Sequence, residues 1–117
     1  MKKTKIVTVL LAFLLILLSG CKHDVTSISK TCSSPVTKNS TASFSATKGD
    51  KVNIEYDSKV KGGNLKIQLI DPNQKVINDF ETNLNGKEEV RINKTGEYTL
   101  RVNLYKFRGN VNVKIKQ

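Results

Sequence analysis

The side chains suited to chemistry are few, and their spacing decides what they can do. Two cysteines stand at positions 21 and 32, and the single histidine at 23. His23 lies two residues from Cys21, ahead of any patterned segment. It reads as a polar residue near a membrane surface, and no His-dependent triad or zinc site can form in the rest of the chain. Ser43 and Ser45 have no partner base. Glu88 and Glu89 are adjacent, so on a strand they face opposite sides and cannot work as an acid/base pair. Asp57, Asp71 and Asp79 are loop or strand-end acids without the spacing of a calcium loop. We therefore expect no catalytic, cofactor-binding or metal-binding residues. The most suggestive cluster is Tyr105-Lys106-Phe107-Arg108, with Arg101 nearby. With Tyr98 to Leu104 alternating into a core, parity sends Arg101, Tyr105 and Phe107 outward. Exposed aromatics beside Arg and Lys suit sugar rings or anionic polymers, through stacking and charge. A bulge would flip the parity and bury Phe107 instead. The candidate patch is Arg101, Tyr105, Phe107 and Arg108.

The N-terminus explains Cys21. Lys2, Lys3 and Lys5 precede an apolar run from Ile6 to Leu18, in which twelve of thirteen residues are apolar. A spanning helix needs about 20 apolar residues. Thirteen fits the hydrophobic region of a cleaved secretion signal, with the basic flank held inside. The run ends Leu18-Ser19-Gly20-Cys21. This resembles the lipobox of bacterial lipoproteins: an aliphatic residue, two small residues, then cysteine. The resemblance implies that Cys21 accepts diacylglycerol, that residues 1–20 are removed, and that a further acyl chain, such as palmitate, can be added to the new amine. Each buried methylene contributes about 0.8 kcal/mol, so two or three chains make release slow. The expected location is the extracytoplasmic face of a cell membrane, lipid-anchored.

Composition bounds the rest. The 117 residues carry a formal charge of +10, and loss of the three signal lysines leaves +7. A basic surface favours anionic partners such as headgroups, envelope polymers or nucleic acid. Export makes nucleic acid the least expected. Lysine-, asparagine- and isoleucine-rich usage also fits an AT-rich genome with no functional meaning. Lys22 to Ser40 is rich in Ser, Thr and Lys, and Pro35 interrupts it. We expect a flexible tether there, spanning on the order of 25 Å. Cys32 falls inside it, either as an idle thiol or as an intermolecular bridge, because a lipidated Cys21 has no thiol to offer.

From Thr41 onward the apolar period is two. Val52, Ile54 and Tyr56 alternate with polar residues, as do Leu65, Ile67 and Leu69. So do Tyr98, Leu100, Val102 and Leu104, and then Val111, Val113 and Ile115. Such runs are strands with one wet face, which indicates antiparallel pairing. Turn chemistry separates them at Lys48-Gly49-Asp50, Lys61-Gly62-Gly63-Asn64, Asp71-Pro72-Asn73-Gln74, Asn85-Gly86, Lys94-Thr95-Gly96 and Arg108-Gly109-Asn110. The expected fold is all-β: one small antiparallel, jelly-roll-like β-sandwich over residues 41–117, with seven or eight strands. They fall at about 41–47, 51–59, 64–70, 75–80, 88–92, 97–105 and 110–116, with 80–86 open.

The segment from Gly63 to Lys116 resembles small jelly-roll sandwiches such as the bacterial pre-peptidase C-terminal domain and the Golgi-dynamics domain. Gly63-Asn64-Leu65-Lys66-Ile67, the Asp71-Pro72-Asn73 turn, Thr95-Gly96-Glu97-Tyr98-Thr99-Leu100-Arg101-Val102 and Gly109-Asn110-Val111-Asn112-Val113 carry the resemblance. It implies that Gly96 makes a turn, that Tyr98 packs at the sandwich edge, and that the domain binds or spaces rather than catalyses. The leading expectation is a membrane-anchored, non-enzymatic lipoprotein that binds an envelope component, either an anionic polymer or a protein. A defence-type inhibitor of an incoming enzyme, phage or toxin is the alternative.

Overall fold

The computed structural model describes residues 24–117. The apolar run, Cys21 and His23 lie outside the described residues. Five strands follow in order: β1 (Asp24–Ala46), β2 (Lys51–Ile70), β3 (Val76–Phe80), β4 (Asn85–Arg91) and β5 (Gly96–Lys116). All their pairings are antiparallel: β1 with β5, β5 with β2, and β2 with both β3 and β4.

Three of these strands are more than three times the ordinary strand length of about 5–6 residues. Each bends sharply once, and the bends lie side by side. The β1–β5 register slips between Cys32 and Lys38, and the β2–β5 register slips between Val60 and Asn64. The sheet therefore folds over on itself. One layer holds residues 24–32 of β1, 51–60 of β2, β4, and 109–116 of β5. The other holds residues 38–46, 64–70, β3 and 96–104. We call the bend the tip and the opposite end, where the β1–β2, β2–β3 and β4–β5 loops lie, the base; the short β3–β4 loop crosses between the layers beside the bend.

The two layers close on one core. Val52, Ile54, Val111, Val113 and Ile115 come from the first, and Ile67, Leu69, Leu100, Val102 and Leu104 from the second. Tyr56 of the first layer meets Phe80 of the second, ring centroids 5.2 Å apart. Burying each such aliphatic or aromatic side chain stabilises by about 1.5–3 kcal/mol. Tyr98 is 2% exposed, lies 5.9 Å from Phe44, and donates its hydroxyl to the Lys94 carbonyl at 2.6 Å. A tyrosine tied back to backbone four residues upstream is a corner lock familiar from other sandwiches.

Several expectations need correction. Residues 24–40 are strand, not tether, and the folded domain begins at Asp24 rather than Thr41. Thr26 to Cys32 pair in register with Ile115 to Gly109. β1 is an edge strand that buries little, with Ile28 the one buried residue before Phe44 among residues 25–43, so no apolar period betrayed it. Pro35 sits inside the register slip, where no ladder hydrogen bond is lost. Lys30 and Lys38 fall on the core-side parity of this edge, opposite buried Val111 and Leu104. Lys30 is half-buried and Lys38 exposed, and charges on this side of an edge strand blunt edge-to-edge pairing. Cys32 is half-buried and packs against the core.

The separators at 61–64 and 108–110 are not hairpin turns. β2 and β5 remain partners on both sides of them, so the expected strands 51–59 and 64–70 are one strand, as are 97–105 and 110–116. Gly63 and Gly109 have φ of 73° and 135°, and a Cβ on either would strike the carbonyl of Lys106 or Lys59. A bend demands glycine for the same reason a turn does. Asn85-Gly86 likewise belongs to β4, with Gly86 against the Tyr56 ring.

Candidate functional site at the tip

At the tip the alternation of β5 breaks. Tyr98, Leu100, Val102 and Leu104 are buried, and so are Phe107, Val111, Val113 and Ile115. Even positions give way to odd ones because Tyr105 and Lys106 both face solvent, with Lys106 at φ 49°. Lys106 N–H donates to Thr37 Oγ1 at 3.1 Å, fixing the bulge against β1. Phe107 is 0% exposed and belongs to the core, which removes it from the candidate patch. Tyr105 stays in it at 54% exposed.

Arg101 is engaged elsewhere. Its Nη2 and Nε donate to Gln68 Oε1 at 2.7 and 3.2 Å, and Gln68 Nε2 donates to Asp79 Oδ1 at 2.8 Å. This chain crosses β5, β2 and β3 and stiffens the outer face of the second layer. It commits the Arg101 guanidinium to Gln68.

The residues gathered around Tyr105 come from β2 as well. A groove of about 400 Å³ is lined by Asn64, Leu65, Lys66, Asn103 and Tyr105. Register places Asn64 beside Tyr105 and Lys66 beside Asn103. Asn103 Oδ1 is buried without a hydrogen-bond partner, a costly state for an amide. Lys106 Nζ lies 5.4 Å from the Tyr105 ring centroid, and Arg108 Nη2 reaches the Lys61 carbonyl at 3.4 Å. An exposed ring beside amides and cations can stack on a flat apolar face, exchange hydrogen bonds with hydroxyls and attract negative charge.

The charge around this groove is segregated. All ten acidic residues of the chain fall at Asp24, between 50 and 57, or between 71 and 97. Residues 25–49, 58–70 and 98–117 contain none, and the fold brings these three segments together at the tip. Lys59, Lys61, Lys66, Lys106 and Arg108 are all exposed there. Among the described residues the ion pairs are Lys51–Glu89 at 3.8 Å and Lys116–Glu55 at 3.1 Å, both away from the tip. Lys106 and Arg108 stand in the cluster legible from the sequence, whereas Lys59, Lys61 and Lys66 do not. The signal was present in the spacing of acids along the chain, but it means nothing until β2 and β5 are paired.

The chain belongs to the bacterial pre-peptidase C-terminal domain family. The family model matches residues 39–104, more than half of the sequence. The match takes in the Asp71-Pro72-Asn73 turn and the Tyr98 strand, whereas Gly109 to Val113 lie beyond it. No curated protein matches the sequence. Among solved structures, the periplasmic inhibitor of g-type lysozyme PliG from Aeromonas hydrophila superposes with a TM-score of 0.54 at 13% identity, over 85% of this chain and 89% of that one. A family 35 carbohydrate-binding module from Clostridium thermocellum gives a TM-score of 0.43 at 11% identity, over 82% and 89%. The likeness to PliG shows a shared fold.

Within this pre-peptidase C-terminal domain, the other candidate groups do not assemble. Asp71 accepts from the backbone of Asn73 and Lys75 within its own turn, Asp79 holds Gln68, and Asp57 sits in the other layer. Among the described residues no three His, Cys, Asp or Glu side chains converge as a metal site. Ser43 meets only Thr99 Oγ1, at 3.4 Å. Tyr56 lines a small groove of about 140 Å³, and burial raises its phenol above the ordinary value, with Glu88 and Glu81 adding to the effect. A phenol pushed upward stays protonated and is no base at neutral pH.

Proposed function

We propose that this protein is a lipid-anchored, non-enzymatic binding module on the extracytoplasmic face of a membrane, and that its binding surface is the tip groove around Tyr105. The observation that carries the reading is the convergence of an exposed tyrosine, two asparagine amides and unpaired cations on one groove. The family supports a binding role over catalysis. Cys21 is the proposed lipid attachment site, from its Leu-Ser-Gly-Cys context.

Pull-down from envelope extract with the full-length protein in detergent tests the surface. Wild type should retain an envelope component, and Tyr105→Ala should lose it. Equal retention by both would move the site elsewhere. Cys21→Ser should accumulate unprocessed precursor without lipid label; normal labelling would end the anchoring reading.

A second reading is an inhibitor that intercepts an incoming enzyme, favoured by the fold shared with a lysozyme inhibitor. A single stoichiometric protein retained at high salt would favour it. The basic tip disfavours a basic target, since like charges slow association.

A further inference from the structure

We infer that the tip surface takes an acidic glycan, a sugar chain bearing carboxylate or phosphate groups, laid along the β2–β5 pair. This deepens the proposed function and rests on it.

The cations at the tip form a line. Lys59 pairs with Asn110 and Lys66 with Asn103, so seven residues of paired backbone separate the ends. At about 3.3 Å per residue this is roughly 20 Å over the bend. Lys59, Lys61, Arg108, Lys106 and Lys66 are distributed along it, with Tyr105 and the Asn64–Asn103 groove toward one end. Acids bound the line: Asp57 beyond Lys59, Asp79 beside Gln68 past Lys66, and Glu81 in the loop along the outer edge of β2. A line of cations bounded by acids fits a linear polyanion of limited contact length better than a spread anionic sheet. The tyrosine and amides add what a sugar ring needs and a simple polyanion does not.

The position of the line also favours a polymer over the protein's own membrane. Asp24 pairs with Lys116 at the base, and β1 runs from there to Cys32, opposite Gly109, at the tip. Eight residues of strand put the tip roughly 26 Å from the start of β1. Cys21 stands only three residues before Asp24, a reach of at most about 11 Å. A lipid on Cys21 therefore keeps the base close to the bilayer and holds the cation line away from it.

The test measures binding of the full-length protein in detergent to polygalacturonate, dextran, polyglutamate and a single-stranded oligonucleotide. Polygalacturonate should bind, weakening roughly tenfold between low and high salt as exposed charges are screened. Dextran should bind at least tenfold more weakly. Lys61→Gln/Lys106→Gln/Arg108→Gln should abolish polygalacturonate binding. Lys48→Gln/Lys94→Gln/Lys114→Gln, with the same loss of net charge, should leave it intact. Tyr105→Ala should weaken polygalacturonate at least tenfold and polyglutamate hardly at all. Dextran bound as well as polygalacturonate, with Tyr105 still required, would keep the glycan site and overturn the acidic ligand. Equal loss in both triple variants would overturn the line. Tighter binding of polyglutamate or the oligonucleotide than of polygalacturonate would overturn the glycan. Loss of envelope capture in Tyr105→Ala without polygalacturonate binding by wild type would retain the proposed surface and sink this ligand class.

Discussion

The base and the tip both turn the chain back on itself, by different means. At the base, side chains tie the loops. Asp50 accepts from Thr47 N–H, Thr95 accepts from Lys48 N–H, and Tyr98 donates to Lys94. Gly49 N–H donates to the Ile92 carbonyl, and Ile92 N–H to the Asp50 carbonyl. At the tip the β3–β4 loop, residues 81–84, runs along β2, with Asn83 Oδ1 accepting from Val60 N–H and Ser58 Oγ accepting from Asn83 N–H. Three strands bend without losing their partners, and glycine, a bulge and buried Phe107 do what loops do at the base. Polar side chains at the base are spent on structure. At the tip the bend is carried by backbone and core with help from Ser58, Asn83 and Thr37, and Tyr105 and the lysines stay exposed. The proposed binding surface lies where folding leaves the most cations and the tyrosine uncommitted.

The largest effects that could break this contrast lie in the core of the tip. Phe107→Ala should cost about 3–5 kcal/mol in denaturant unfolding. A cost below 1 kcal/mol would mean that Phe107 does not anchor the bend. Gly63→Ala or Gly109→Ala should cost about 2–4 kcal/mol, from positive φ and the carbonyl collision together. The same change at Gly49, which has φ 97° but open space around it, should cost less. At the base, Tyr98→Phe should lose about 1 kcal/mol, the worth of one hydrogen bond. Tyr105→Ala should change stability by less than about 0.5 kcal/mol while removing envelope capture, since the ring is more than half exposed and the flexible Lys106 side chain is what lies over it.

The smallest effect concerns pH. A hydrogen bond from Lys116 lowers the Glu55 carboxyl below its ordinary value, with partial desolvation opposing and the charges of Lys116, Lys87 and Lys114 assisting. A lowered folded value means that its contribution is present above the ordinary carboxylate range and is lost as pH falls through the folded value. Glu55→Gln should flatten the acid limb of the stability profile slightly. An unchanged profile would show the pair to be screened by solvent.

Most of the fold was legible because the alternation of Val52 to Tyr56, Tyr98 to Leu104 and Val111 to Ile115 reports one wet and one dry face. The turns at 48–50, 71–74 and 94–96 were legible from the same chemistry that the structure uses, down to Gln74 N–H on the Asp71 carbonyl. β1 was not legible, because an edge strand buries one face thinly and draws its hydrogen bonds from residues some 80 positions away. Of the patch, Tyr105 and Arg108 were placed correctly at the surface. Phe107 was not, since one residue of bulge reverses every later parity.

By itself the sequence determined that strands of one wet face would pair antiparallel, where acids are absent along the chain, and which cysteine ends the Leu-Ser-Gly-Cys run that resembles a lipobox. Hydrophobic period, charge and short motifs are local properties, readable residue by residue. Only the tertiary structure decided that Gly62-Gly63 and Gly109 are bends and not reversals, that Asp24 to Ser40 are strand, and that Lys59, Lys61, Lys66, Lys106 and Arg108 share one line. Whether a glycine turns a chain or bends it depends on who pairs with the residues beyond it. That pairing is settled by burial and hydrogen bonding across long separations.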